Sequence, residues 1–137
     1  MTAKDYLYQY KQITWDIEML TRDIKDLNES IDSIYIDYNY HPKSNKIPRK
    51  AEEITIKLNA LRDKKQSKVK AAWQKREEIE RTISIIKDVD LSRLLYDRYI
   101  GLMTWEEIAE DIDKSEYWAR SELHNKALNE LERIINS

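Results

Sequence analysis

The carboxylates Glu106, Glu107, Glu110 and Asp111 crowd into one short stretch, and such a group can transfer protons or hold a cation. At helical spacing they spread around the cylinder instead of converging, so a solvated face is the expectation. The two histidines, His41 and His124, lie far apart in sequence, and there is no cysteine. Disulfides, thiolate zinc sites and cysteine nucleophiles are thereby excluded together. A single glycine, Gly101, cannot build a phosphate-cradling loop, which needs several glycines within a few residues. Neither a metal nor a cofactor is expected, and the chain reads as non-enzymatic.

The next residues with chemistry to offer are basic. Lys50, Lys57, Lys64, Lys68 and Lys75 recur near heptad spacing, and Lys43, Lys46 and Arg49 stand with them. Along one helix face such a stripe either contacts phosphates or is a solvated face paired with acidic groups of a neighbouring helix. Spacing alone leaves both readings open. The whole-chain charge of -2 hides a strong division: residues 1–40 carry a net -4, residues 41–87 a net +8 and residues 88–137 a net -6. Opposite charges flanking a seam steer which helices pair.

The elements that must position these groups are helices. Of 137 residues, 36% are charged and 41% hydrophobic, with one Gly and two Pro, a composition of long, solvent-washed helices. Tyr6, Tyr10, Ile13, Ile17, Leu20, Ile24, Leu27, Ile31 and Ile34 alternate at intervals of four and three. They form a heptad seam on a helix about 45 Å long. Pro42 and Pro48 remove backbone donors and restrict the residues before them, which predicts a linker at 35–49. Tyr35, Tyr38 and Tyr40 read there as local core at a hairpin tip in preference to a binding platform. A second helix, with Ala51, Ile54, Leu58, Leu61, Val69, Ala72, Arg76, Ile79, Ile83 and Ile86 on one side and charge interrupting the seam near Lys65 and Lys68, returns antiparallel. Tyr8, Trp15 and Trp73 lie beside these seams incompletely covered, so two hairpins are expected to associate as a homodimer.

The last segment is denser in apolar residues and broken by turns. Thr104 with Glu107 forms a capping box, Ser115 starts a further helix, and Trp105 begins a buried face. Helices are predicted over about 90–101, 104–111 and 115–135. Small Ala109 sits where a second helix would cross closely, flanked by the buried Ile108 and Ile112. Asp113 stands in the turn where positive φ is often required, a conformation Asp tolerates better than most residues. This is the spacing of a helix-turn-helix. The expected fold is all-α: a long antiparallel helical hairpin (coiled coil) over 1–88, followed by a small helix-turn-helix domain over 89–137.

The run Leu-Tyr-Asp-Arg-Tyr-Ile-Gly-Leu-Met-Thr-Trp-Glu-Glu-Ile-Ala-Glu at 95–110, with Leu123-His-Asn-Lys-Ala-Leu128, resembles the sigma-factor region-four domain. Nearly the whole chain is similar to a family of small phage and integrative-element proteins of Gram-positive bacteria, grouped with the ArpU and RinA late transcriptional regulators. The resemblance implies promoter-directed DNA binding, with the last helix entering the major groove by its first turns. With Ala119, Leu123, Ala127 and Leu131 turned inward, the outward set is Glu116, Tyr117, Arg120, Ser121, His124 and Asn125, with Trp118 at the margin. Arg120 is then placed to read a guanine edge, Asn125 an adenine edge, and Lys114 or Lys126 to contact a phosphate.

The expected partner is double-stranded promoter DNA. Because residues 88–137 are acidic, a competing expectation is a protein-interaction module that meets RNA polymerase or a repressor protein. No run approaches the roughly 20 apolar residues that span a bilayer, and no secretory pattern opens the chain. A cytoplasmic location in a bacterial host cell is therefore the expectation.

Overall fold

The computed structural model describes residues 1–40 and 49–137. Helix α1 runs over Ala3–Tyr40 and α2 over Arg49–Ile83, a long N-terminal helix pair. Helix α3, Val89–Leu95, continues as a π turn over Tyr96–Ile100; α4 is Trp105–Asp111; α5, Glu116–Trp118, passes through a second π turn, Ala119–Leu123, into α6, His124–Ile135. Among the described residues there is no strand. No described helix is long and apolar enough to cross a membrane.

Helix α1 corrects the start of the expected linker. Tyr35–Tyr40 continue the helix, because nothing in their sequence forbids it and the first breaker is Pro42. Arg49, assigned to the linker, already belongs to α2. Tyr35 and Tyr40 are exposed and Tyr38 is half-buried, so the tyrosines do not form the closed local core expected of them.

Two compact units emerge, and they are drawn differently from the expected boundary at residue 88. One comprises Thr14–Lys70, the other Met1–Ile13 with Ala71–Ser137. In the first unit Leu20, Ala51, Ile54 and Leu58 are buried, and the seam residues Ile17, Ile24, Leu27, Ile31 and Ile34 are half-buried. Arg62 Nη2 donates to Asn28 Oδ1 at 3.1 Å, and Lys68 Nζ to Asp16 Oδ2 at 3.3 Å. Numbers that rise along α1 fall along α2, the antiparallel order.

In the second unit one apolar core gathers side chains from α1, α2, α3, α4, α6 and both π turns. Ala3 and Leu7 of α1 and Ile79 and Ile83 of α2 join Leu91, Leu94, Leu95, Tyr99, Ile100, Ile108, Ile112, Leu123 and Leu131. Leu7 is fully buried, although the heptad seam had pointed to its neighbours Tyr6 and Tyr10. Tyr6 and Tyr10 pack at the margin of the core instead, and the Tyr6 hydroxyl lies 2.9 Å from Thr82 Oγ1.

Caps delimit the short helices as their sequences dictate. Asp88 accepts from the backbone N–H groups of Asp90 and Leu91. Thr104 and Glu107 form the reciprocal capping box, and Ser115 accepts from Trp118 N–H. Asp113 takes φ 55°, as its type permits, whereas the other left-handed residue among the described ones is Leu102 at φ 53°. Gly101 itself is needed for a different reason: a Cβ there would stand 2.9 Å from the Asp97 carbonyl oxygen.

Leu7→Ala is expected to cost about 2–5 kcal/mol, as for any fully buried leucine. Exposed Ile56→Ala should change stability by no more than about 0.5 kcal/mol. Denaturant melts followed by circular dichroism compare the two; equal midpoints would remove the first turns of α1 from the core.

Candidate functional site

The C-terminal unit presents one polar outer face whose placement follows from the row beneath it. Ala119, Leu123, Ala127 and Leu131 are all buried. In an unbroken α-helix, residues four apart drift by about 40° per step. The wider π turn between Ala119 and Leu123 rotates less per residue and offsets that drift, so the row stays on the core. On the opposite side Lys114, Glu116, Tyr117, Trp118, Arg120, Glu122, Asn125 and Lys126 are exposed, with Tyr117 at 79% and Trp118 at 45%. Ser121 is half-buried, and its hydroxyl donates to the Tyr117 carbonyl at 2.6 Å.

His124 departs from the expected outward set. Its Nε2 lies 2.7 Å from the Tyr99 hydroxyl, its ring stacks on Tyr99 with centroids 6.0 Å apart, and it meets the Trp105 ring edge-on at 4.7 Å. The π turn immediately before it turns this side chain toward the core. Burial, with smaller contributions from Lys4 and Arg98, lowers its pKa to about 4; burial also raises the Tyr99 phenol to about 12. At neutral pH a neutral phenol and a neutral imidazole therefore share this hydrogen bond. This makes half-buried His124 a support for α6. Arg98 completes the layer: its guanidinium stacks on Trp105 at 4.7 Å, and Nη1 donates to the Met103 carbonyl at 3.0 Å.

The acidic stretch divides by role. Glu107 serves the capping box, and its hydrogen bonds with Thr104 hold its pKa below the usual carboxylate value. Asp111 accepts a two-pronged ion pair from Arg93, Nε to Oδ2 at 2.7 Å and Nη2 to Oδ1 at 2.8 Å. Glu106 and Glu110 are exposed. Among the described residues no group of three or more His, Cys, Asp or Glu is placed to hold a metal ion.

The basic stripe is partly committed to ion pairs. Lys68 bridges to Asp16, Lys75 pairs with Glu78 at 2.7 Å, and Arg49 pairs with Glu53 at 3.4 Å. Lys50, Lys57 and Lys64 are exposed, without an ion pair among the described residues. Lys43 and Lys46 lie outside the described residues. Sequence reasoning missed one buried charge: Asp97 is 8% exposed and lines a cleft of about 600 Å³ with Glu80, Arg93, Tyr96 and Asp111. An aspartate two residues before Tyr99 on a helix of otherwise apolar burial was the available signal.

The family described as "Protein of unknown function (DUF1492)" matches residues 43–132, a span that takes in α2 to α5 and most of α6. The chain belongs to the DUF1492 family. No curated protein and no solved structure matches it.

The His124 geometry fixes a pH dependence. Its folded pKa lies below the ordinary value of about 6.5, so its contribution to stability is complete above that value and is lost as pH falls toward 4. His124→Gln keeps an acceptor for Tyr99 and does not titrate. Relative to the native chain, its melting temperature should rise progressively as pH falls from about 6.5 to about 4. Parallel pH profiles for the two proteins in calorimetry would contradict that assignment.

Proposed function

We propose that this DUF1492 protein is a DNA-binding transcriptional regulator of phage or mobile-element origin, reading promoter DNA through a sigma region-four-like helix-turn-helix. The observation that carries the reading is the exposed set Lys114 in the turn, Tyr117 and Trp118 on α5, Arg120 in the second π turn, and Asn125 and Lys126 on α6, which follows left-handed Asp113. Ala109, small and buried, permits the close helix crossing such a motif requires. Arg120 has the fork geometry for guanine O6 and N7, Asn125 can pair bidentately with adenine, and Lys114 and Lys126 suit phosphates.

Positive charge is scarce on this unit, since residues 88–137 carry a net -6. Lys50, Lys57 and Lys64 supply further phosphate contacts in this reading. Trp15 at 61% and Trp73 at 60% exposure offer apolar area to a second copy, so the regulator acts as a homodimer on two half-sites. The acidic surface supports one competing reading, a protein-interaction module that meets RNA polymerase or a repressor protein.

Fluorescence anisotropy with own-genome upstream DNA at about 50 and 200 mM salt tests the reading. Tight, sequence-preferring binding with a steep salt dependence is expected. Arg120→Ala should weaken it by about 1–3 kcal/mol and relax preference at one position. The double change Lys57→Ala and Lys64→Ala should lower the salt slope by about 2 while leaving preference unchanged. Absence of binding at the lower salt, with capture of a defined polymerase subunit or repressor, would sink the DNA reading in favour of the protein module.

A further inference from the structure

The two helices of the Thr14–Lys70 unit meet along a seam, and two contacts mark its two flanks. Arg62 Nη2 donates to Asn28 Oδ1 at 3.1 Å, and Lys68 Nζ pairs with Asp16 Oδ2 at 3.3 Å. Asp16 and Asn28 are 12 residues apart on α1, and Arg62 and Lys68 are 6 apart on α2. Each pair therefore stands about 120° apart around its own helix. One contact closes one flank of the seam, and the other closes the opposite flank.

Heptad steps carry each flank along the hairpin. From Asp16 they lead to Asp23, Ser30 and Asp37, and across the seam Lys50, Lys57 and Lys64 lead toward Lys68. This flank is dense in charge. From Asn28 the same steps give Thr21 and Tyr35, and from Arg62 they give Thr55 and Val69. In that second set Arg62 alone is charged, and Asn28 accepts its hydrogen bond. Glu18, Lys25, Asp32 and Glu52 border the set with charges of both signs.

The seam beneath is incompletely covered. Ile17, Ile24, Leu27, Ile31 and Leu61 are half-buried, and Tyr35 is 37% exposed. Packing two more helices alongside completes such a seam. The core of an interface is depleted of charge while its rim tolerates it, which selects the uncharged flank. From Thr14 to Tyr35 that flank is about 32 Å long and two helices, about 20 Å, wide. Its area of about 600 Å² approaches the roughly 800 Å² per partner of a standard interface.

The charges name the occupant. Residues 14–40 hold 2 basic and 7 acidic groups, a net -5, whereas residues 49–70 hold 8 and 3, a net +5. A second copy, turned about a twofold axis parallel to the helices, lays its α1 on this α2 and its α2 on this α1. Every neighbour is then antiparallel, opposite net charges meet twice, and Arg62 lies level with Asn28 of both copies. A twofold axis across the helices would instead stack acidic α1 on acidic α1.

We propose that the flank carrying Thr21, Asn28 and Tyr35 is where a second copy of this chain docks, α1 against α2, in a four-helix bundle that leaves the Lys50, Lys57 and Lys64 flank to the solvent. This rests on the homodimer of the reading above and adds its face and its pairing. Trp15, two residues from Ile17, lies on the back of α1 and is the rival face.

Sedimentation equilibrium of the full chain, without DNA, tests the proposal. A dimer is expected at micromolar concentration, loosening between about 50 and 200 mM salt because opposite charges attract across it. A dimer that tightens with salt overturns the α1-on-α2 pairing, and a monomer throughout overturns the association. Thr21→Glu and Tyr35→Glu each place a charge on the uncharged flank and should raise the dimer dissociation constant about tenfold or more. Ser30→Glu makes the same change on the opposite flank and should shift it by less than about threefold. Far-UV circular dichroism checks that each variant keeps its helices; if one unfolds, the salt dependence of the native dimer still decides the pairing. Should Thr21→Glu and Tyr35→Glu dimerise like the native chain while Trp15→Ala does not, the interface lies on the back of α1 and the proposal fails. Promoter binding is measured separately, so a failure of this face leaves the DNA reading standing.

Discussion

The C-terminal unit depends on one shared apolar core that its own short helices could not fill. Helix α4 has 7 residues and α3 has 7 before its π turn, well under the length of roughly 12–15 at which isolated helices become even marginal in water. What holds them is burial against Leu7 and Ala3 from the start of α1 and Ile79 and Ile83 from the end of α2. Side chains separated by most of the chain therefore meet before any surface can be presented. The outer face of α5 and α6 is a product of that packing, since burying Ala119, Leu123, Ala127 and Leu131 leaves Tyr117, Arg120 and Asn125 to the solvent.

A second tier of polar contacts lies at the boundary of this core and sets orientation. Tyr99 with His124 ties α6 to the first π turn, Arg98 couples that turn to Trp105, and Arg93 reaches Asp111 at the end of α4. At the half-buried Tyr99–His124 contact a lower local dielectric strengthens the bond and makes an unpaired group beside it expensive, whereas the Arg93–Asp111 pair is exposed to solvent. Half-buried His124 and buried Asp97 are shifted in opposite directions. Neutral His124 favours folding as pH rises, and protonated Asp97 favours it as pH falls. Each is tuned first by burial and only then by neighbouring charge.

Much of the architecture was legible because its signals are local. The interval of four and three identified α1, the capping box at Thr104 and Glu107 placed the start of α4, and Asp113 announced its own left-handed turn. The inward row at Ala119 to Leu131 was also readable from spacing. What escaped notice was tertiary or came from irregular winding. Leu7 lies just off the heptad seam, and its full burial comes from helices that the sequence places far downstream. His124 looked outward because an ordinary α-helix was assumed, and no residue type marks a π turn. Asp97 was not singled out, since nothing in its local sequence marks its burial. The left-handed Leu102 beside Gly101 shows the same limit: the close approach to the Asp97 carbonyl claimed the glycine, leaving leucine to make the bend.

The π turn at Ala119–Leu123 also has a consequence for how such a face can change over time. A π turn is in effect an α-helix holding one residue more than its turns require. Loss of a single residue from it would restore regular winding and rotate every later side chain by about 100° relative to those before it. The same α6 sequence would then offer a different row to the solvent, with no residue of that row substituted. In this helix the identity of the outer surface is encoded partly by residue count, so relatives that differ by one residue there diverge in surface even where their letters agree.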